Sequence, residues 1–252
     1  MEQRPNRSEL TPVSFLRRSA RAVPENVAVV HEGRRTTYGE LDSRVNRLAS
    51  ALRGRGLERH DRIAFLCPNT PALLEAHYGV PAAGGVLVAI NSRLAPREVD
   101  SIIRHSGART LFVDHGLANV IEGLDLSGVE VVRVADTGAP DDPYERFLAE
   151  GSTVPVPSWL EDEEEPIAIN YTSGTTGQPK GAVYSHRGAY LRALGLAVET
   201  RQDYDTVHLW VLPMFHCNGR SFPWAVSVLA GRHVCLRKST PRRSGDSSRR
   251  RA

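Results

Sequence analysis

Apolar and polar positions along this chain switch repeatedly between helical and extended spacing, and the alternation predicts the architecture. After Thr37, which can form a capping box with Glu40, apolar residues fall at Leu41, Val45, Leu48, Ala49 and Leu52, one face of a helix, until Gly54 and Gly56 stop it. Residues 62–67, apolar from Ile63 to Cys67 and closed by Pro68-Asn69, read as a buried strand. A helix over 71–83, a strand at 86–90, a helix over 96–105 and a strand at 110–113 follow. Segments 117–121, 129–134 and 144–148 continue the series. A strand at 167–170 and a helix from His186 towards Glu199, with Ser185 as N-cap, come next. Segments 207–212, 222–229 and 233–236 close it. Strands separated by helices require crossover connections, so the predicted class is α/β with largely parallel sheets.

Between residues 135 and 165 the pattern loosens around Pro140, Pro143, Pro155 and Pro157 and ends in the acidic run Glu161-Asp-Glu-Glu-Glu165, which reads as a solvated surface connection. No repeat is visible, no stretch is long and apolar enough to span a membrane, and the amino end lacks the apolar core of a signal peptide, so a cytoplasmic location is the default expectation. Cys67, Cys217 and Cys235 form no C-x-x-C pair, and the nine histidines show no metal-binding spacing. No resident metal site is expected from spacing. Hydrophobic residues make up 40% of the 252, enough for a substantial core.

The chemistry concentrates in Tyr171-Thr-Ser-Gly-Thr-Thr-Gly-Gln-Pro-Lys180-Gly181. Glycines 174, 177 and 181 let backbone N–H groups approach an anion, while Thr172, Ser173, Thr175 and Thr176 add hydroxyls and Lys180 a point charge. The spacing is not that of the Walker loop, because Pro179 stands five residues after Gly174 and glycine follows Lys180. Placed between an apolar strand and the helix at Ser185, the loop is expected beside a positive helix end.

This run resembles the signature of the adenylate-forming superfamily, whose members include acyl-CoA synthetases, luciferases and peptide-synthetase adenylation domains. The resemblance extends over residues 14–238. Pro24-Glu-Asn-Val-Ala-Val-Val30 with Arg35-Thr-Thr-Tyr-Gly-Glu-Leu41 resembles the family's opening hairpin and first helix. Residues 57–66 and 83–91 resemble the strands that come after it, and Leu212-Pro-Met-Phe-His-Cys-Asn-Gly219 the motif against the acyl pocket. The resemblance implies the amino-terminal part of the large domain of an acyl-CoA synthetase of the fatty-acid–CoA ligase type. It implies ATP and magnesium as cofactors, coenzyme A as co-substrate and a small carboxylic acid, fatty or other acyl acid, as partner. Nucleic acid is not an expected partner, and oligomeric state is left open. By the same resemblance Thr172, Ser173, Gly174, Thr175, Thr176, Gly177 and Lys180 would hold the β- and γ-phosphates. His216 would lie beside the reacting carboxylate, and Asn218 and Gly219 would form pocket wall. Arg220 departs from the bulky apolar residue usual there.

The family's adenine pocket, its Thr-Glu pair for magnesium, its ribose-gripping Asp and its distal catalytic lysine have no counterpart in these residues. From Arg237 onward seven Lys or Arg stand against one Asp, so this segment holds +6 while the whole chain is +3 and the remainder −3. Residues 1–238 are therefore expected to be one truncated domain portion and 239–252 a disordered, out-of-frame basic tail. The isolated chain is expected to be inactive as a ligase, with an uncovered sheet edge near residue 236 and an uncovered apolar segment 222–229. The alternative is a non-catalytic fragment that binds nucleotide or, through the tail, nucleic acid.

Overall fold

The computed structural model describes residues 8–172 and 179–237, so the basic tail over 239–252 lies outside the described residues. It contains two sheets. The larger has the order β6-β5-β3-β4-β7-β8, formed by β3 (Arg62–Leu66), β4 (Val86–Ala89), β5 (Thr110–Asp114), β6 (Glu130–Val134), β7 (Pro166–Thr172) and β8 (Lys180–Ser185). All neighbours in it are parallel except the antiparallel β7–β8 pair. The smaller has the order β2-β1-β10-β9, from β1 (Val27–His31), β2 (Arg34–Thr37), β9 (Val207–Leu209) and β10 (Arg232–Cys235). In it β10 is parallel to both β1 and β9.

The central strands of the larger sheet bury both faces, as parallel strands between helices must. Ile63, Phe65, Leu87, Ala89 and Phe112 point into the main core with α2 (Tyr38–Gly54), α3 (Pro71–Ala82) and α5 (Pro143–Ala149). Ala64, Leu66, Val88, Leu111 and Val113 point to a second core under α4 (Pro96–Ser106). The period-2 alternation of side chains therefore divides one apolar run between two layers.

Local signals account for the helix ends. Thr37 Oγ1 accepts from Glu40 N at 3.2 Å while Glu40 Oε2 accepts from Thr37 N at 2.7 Å, the reciprocal box that the sequence predicts. Pro96 opens α4 and Gly107, at φ +63°, closes it in the left-handed region that glycine enters without a Cβ penalty. Asp142 caps α5 and also accepts from Ala135 N and Thr137 N, fixing the loop before it. Buried Glu75 on α3 is neutralised by Arg44, with Nε to Oε1 at 2.6 Å, and accepts from the Tyr144 hydroxyl at 2.8 Å.

Outside the candidate site, the structure differs from the sequence reading in four places. A first helix, α1 (Val13–Ala22), buries Val13, Phe15, Leu16 and Ser19. The acidic run is only partly solvated: Glu165 accepts from His60 Nε2 at 2.8 Å and from the N–H groups of Glu161 and Asp162, and also binds Arg59. Glu163 binds Arg187 at 2.8 Å and Leu10 N at 2.7 Å. Burial pushes the Glu165 carboxyl up, but those donors outweigh it and hold it at about 2.

The remaining two concern residues 222–236. The helix α8 (Phe222–Val228) has its own cover, since residues 223–228 are all buried and it packs against α6 (His186–Glu199) and α1. β10 is interior to its sheet, and the edges are β2 and β9. Large apolar side chains do lie open on the neighbouring elements, among them Val183, Leu191, Val198, Val207 and Val211. A cluster of charges fastens the two sheets together: Arg237 binds Asp114 at 2.8 Å and Asp136 at 2.6 Å, and Asp136 also meets His31 at 2.8 Å. Cys67 and Cys235 are buried thiols in or beside strands, and burial raises both.

Candidate functional site

β7 and β8 form a hairpin whose two strands pair from Pro166 with Ser185 to Thr172 with Lys180. The phosphate-loop candidates Ser173, Gly174, Thr175, Thr176 and Gly177 lie outside the described residues, between these last partners. Thr172 and Lys180 face each other across the mouth of the hairpin, and both are exposed. Gly181 follows because the space is taken: a Cβ there would come within 2.8 Å of Ile169 Cγ2 and 3.4 Å of the Tyr171 ring. Tyr171 is fixed in turn by His105, whose Nδ1 lies 2.8 Å from the phenol oxygen.

This hairpin corrects one expectation. The loop does not run directly into a helix, because the strand residues 180–184 intervene before Ser185 caps α6 by accepting from Gly188 N at 3.1 Å. At about 3.3 Å per residue this puts Lys180 roughly 17 Å from the helix start, beyond the reach of an end-of-helix dipole.

The second part of the site arrives from the smaller sheet. After β9 the chain crosses to β7 through Trp210, Met214 and Phe215, all buried, and emerges at exposed His216. His216 Nε2 stands 3.7 Å from the Cys217 sulfur. The next turn, α7 (Cys217–Arg220), runs with the opposite hand to an ordinary helix. The φ angles of Cys217, Asn218, Gly219, Arg220 and Ser221 are 49°, 48°, 55°, 54° and 70°, and for the four L-residues among them this is strained backbone. Gly219 is required twice over, since a Cβ would also enter the Trp210 ring at 2.7 Å. Asn218 is fully buried, and neither polar atom of its amide finds a partner among the described residues. Arg220 is exposed and makes no ion pair among the described residues, so its guanidinium remains hydrated.

Thr172 and Lys180 thus close the described part of the hairpin, and the turn that carries Asn218 and Gly219 packs against β7. Asn170 joins β7 to the residue before His216 by donating from Nδ2 to Phe215 O at 2.9 Å. Sequence reasoning missed Asn170 and Asn69, which holds the same segment; a polar residue closing the apolar run Ile167-Ala-Ile-Asn170 was the available signal for the first. Among the described residues no group of three or more His, Cys, Asp or Glu is placed to hold a metal ion, and none of Thr172, Lys180, His216, Asn218 and Gly219 carries a carboxylate. The described site therefore offers magnesium no hard anionic ligand of its own. No helix among the described residues is long and apolar enough to cross a membrane.

A family model described as AMP-binding enzyme matches residues 16–249. Among curated proteins, the chain is 39% identical over 245 residues to 4-hydroxybutyrate–CoA ligase 2 of Metallosphaera sedula, covering 92% of this chain and 44% of that protein. It is 36% identical to the peroxisomal trans-cinnamate:CoA ligase of Petunia hybrida, over 92% of this chain and 45% of that one. The chain spans slightly under half the length of these relatives. Among solved structures, the inhibitor-bound N-terminal domain of FACL13 from Mycobacterium tuberculosis superposes with a TM-score of 0.85 at 25% identity, over 95% of this chain and 60% of that one. ATP-bound MatB from Rhodopseudomonas palustris superposes with a TM-score of 0.84 at 25% identity, over 97% and 48%. The two-sheet α/β fold is that of the amino-terminal part of these enzymes, and the match runs through both the phosphate-loop hairpin and the His216 segment: this chain belongs to the AMP-binding enzyme family.

Proposed function

We propose that this chain provides the phosphate-gripping and acyl-facing half of an ATP-dependent acid–thiol ligase. In that reaction a carboxylate oxygen attacks the α-phosphorus of ATP, the bond to the β-phosphate bridging oxygen breaks, and pyrophosphate leaves. The coenzyme A thiol, giving up its proton, then attacks the acyl carbonyl and AMP leaves. The observation that carries the reading is the register of the β7–β8 hairpin, which sets Thr172 opposite Lys180 at the two ends of an unbroken family signature.

In this reading Thr172, Ser173, Gly174, Thr175, Thr176, Gly177 and Lys180 neutralise and orient the β- and γ-phosphates, the departing group, and so lower the barrier by electrostatic stabilisation and alignment. His216 lies at the edge of the acid's site, and Asn218 and Gly219 form its wall. Magnesium would be held through phosphate oxygens, and we assign it no protein ligand in this chain. The relatives named for 4-hydroxybutyrate, cinnamate, benzoate and butyrate support a small carboxylic acid as substrate.

Lysine is rare here: the chain has Lys180 and Lys238 and no other. Removal of Lys180 is therefore a clean test. Calorimetric titration of the chain with magnesium pyrophosphate or ATP is expected to show binding that weakens at least tenfold in Lys180→Ala, while the Lys238→Ala protein binds as before. Equal binding by all three proteins would refute the assignment. Mixed with ATP, magnesium, coenzyme A and a panel of acids, the chain alone is expected to form no thioester, and sustained ATP-dependent thioester formation would overturn the view that its site is incomplete.

A further inference from the structure

The segment that delivers His216 belongs to neither sheet after its first residue, yet its backbone is not left to solvent. Trp210 N still bonds to Val234 O at 2.9 Å. Beyond that point two buried asparagines take over. Asn69, just before α3, donates from Nδ2 to the carbonyls of Trp210 at 3.0 Å and Leu212 at 2.8 Å, and its Oδ1 accepts from Met214 N at 2.8 Å. Asn170 on β7 donates to the carbonyl of Phe215 at 2.9 Å. A primary amide is the compact side chain that offers two donors and an acceptor at once, and Asn69 uses all three functions.

The two anchors are unequal. Asn69 fixes residues 210–214 from the segment between β3 and α3. Asn170 lies two positions before Thr172 on the strand that enters the phosphate loop, and its bond ends on the residue immediately before His216. Directly after His216 the chain enters the strained left-handed turn, a conformation that persists only where its surroundings over-determine it. Asn170 is 4% exposed, and among the described residues its Oδ1 has no partner, nor has either polar atom of Asn218. Buried polar groups left unpaired weaken a fold, so stability alone does not account for them.

We propose that Asn170 is a positioning residue that couples the phosphate-loop strand to the His216 turn, with Asn69 as the fixed anchor of the same segment. What the coupling serves rests on the ligase reading above; the coupling itself is a property of this chain. The Asn170–Phe215 bond fixes the carbonyl of the residue just before His216 to β7.

Hydrogen exchange followed by mass spectrometry on the full 252-residue chain tests this, with Asn170→Asp as the variant. Aspartate has the same shape but replaces the donor with an acceptor that repels Phe215 O. Without nucleotide, peptides covering residues 210–221 are expected to exchange at least tenfold faster in the variant, while those from β3, β5 and α2 exchange as in the unaltered chain. With a non-hydrolysable ATP analogue and magnesium, protection is expected over both 171–181 and 210–221 in the unaltered chain, and over 171–181 alone in the variant. Unchanged exchange at 210–221, or equal acceleration everywhere, would overturn the proposal, the latter marking a merely structural role. Asn170→Ala carries the same expectation should the aspartate variant not fold. A chain that binds no nucleotide defeats the ligase reading but leaves the nucleotide-free comparison to decide this one.

Discussion

Gly219→Ala perturbs the candidate site at its tightest point. The added methyl would stand 2.7 and 2.8 Å from two carbons of the Trp210 ring, a side chain with no exposed surface. Trp210 has nowhere to yield, because its Nε1 donates to His233 Nδ1 at 3.2 Å and its ring lies parallel to His233 and edge-on to His208. Two costs add. An L-residue at φ +55° costs about 1–2 kcal/mol relative to glycine, and overpacking a filled core costs about 1–3 kcal/mol. The sum is about 2–5 kcal/mol, or a fall in Tm of roughly 5–15 °C for a chain of this size. Gly195→Ala is the matched control: it lies within α6, and a Cβ there meets nothing within 4 Å. Relief of glycine's unfolded-state entropy should make it more stable by about 0.5–1 kcal/mol. Thermal unfolding followed by circular dichroism and tryptophan fluorescence reads both. A Gly219→Ala protein that melts with the unaltered chain, or above the Gly195→Ala protein, would refute the packing argument.

Acid should weaken the fold well before its carboxylates are protonated. Burial holds His77 and His186 down at about 4 against an ordinary 6.5, so both are neutral in the folded chain, and their contribution is complete above 6.5 and lost as pH falls towards 4. At about 1.4 kcal/mol per pH unit each costs about 2 kcal/mol by pH 5, and a urea midpoint that stays flat from pH 7 to 5 would contradict this. Asp136 is pushed up by burial but held at about 2 by His31 and Arg237, and its contribution, present above 3.8, should vanish only as pH falls from there towards 2. Glu75→Gln removes the charge opposite Arg44, which retains Glu145 at 2.7 Å; a loss of about 2–3 kcal/mol in urea unfolding is expected, below the full cost of breaking a buried pair.

Most helices and strands were legible because their signals are local: the Thr37–Glu40 box, the prolines opening α3 and α4, and the Ser185 cap each act within four residues. α1 escaped because Pro12 precedes it without a capping side chain and its apolar stripe is only a few residues wide among arginines. β8 escaped because four of its six residues are exposed and its sequence does not alternate; its strand character comes from pairing with β7. The phosphate-loop residues announced themselves by chemistry. Asn69 and Asn170 did not, since their partners are backbone groups 141 to 145 and 45 positions away, which no local window contains. The place of β10 inside its sheet was hidden for the same reason.

That strand insertion also sets a timetable for synthesis. His31 Nδ1 lies 3.1 Å from the carbonyl oxygen of Cys235, a partner 204 positions later. At the usual 5–20 residues per second, the β1–β2 hairpin waits about 10–40 s after translation with its inner edge unsatisfied, while β3, β4 and β5 can already assemble on their own helices. Among the described elements the smaller sheet is therefore the last to close, and the nascent chain carries an open strand over the whole synthesis of residues 32–235, the interval in which a chaperone holding that edge would most affect yield.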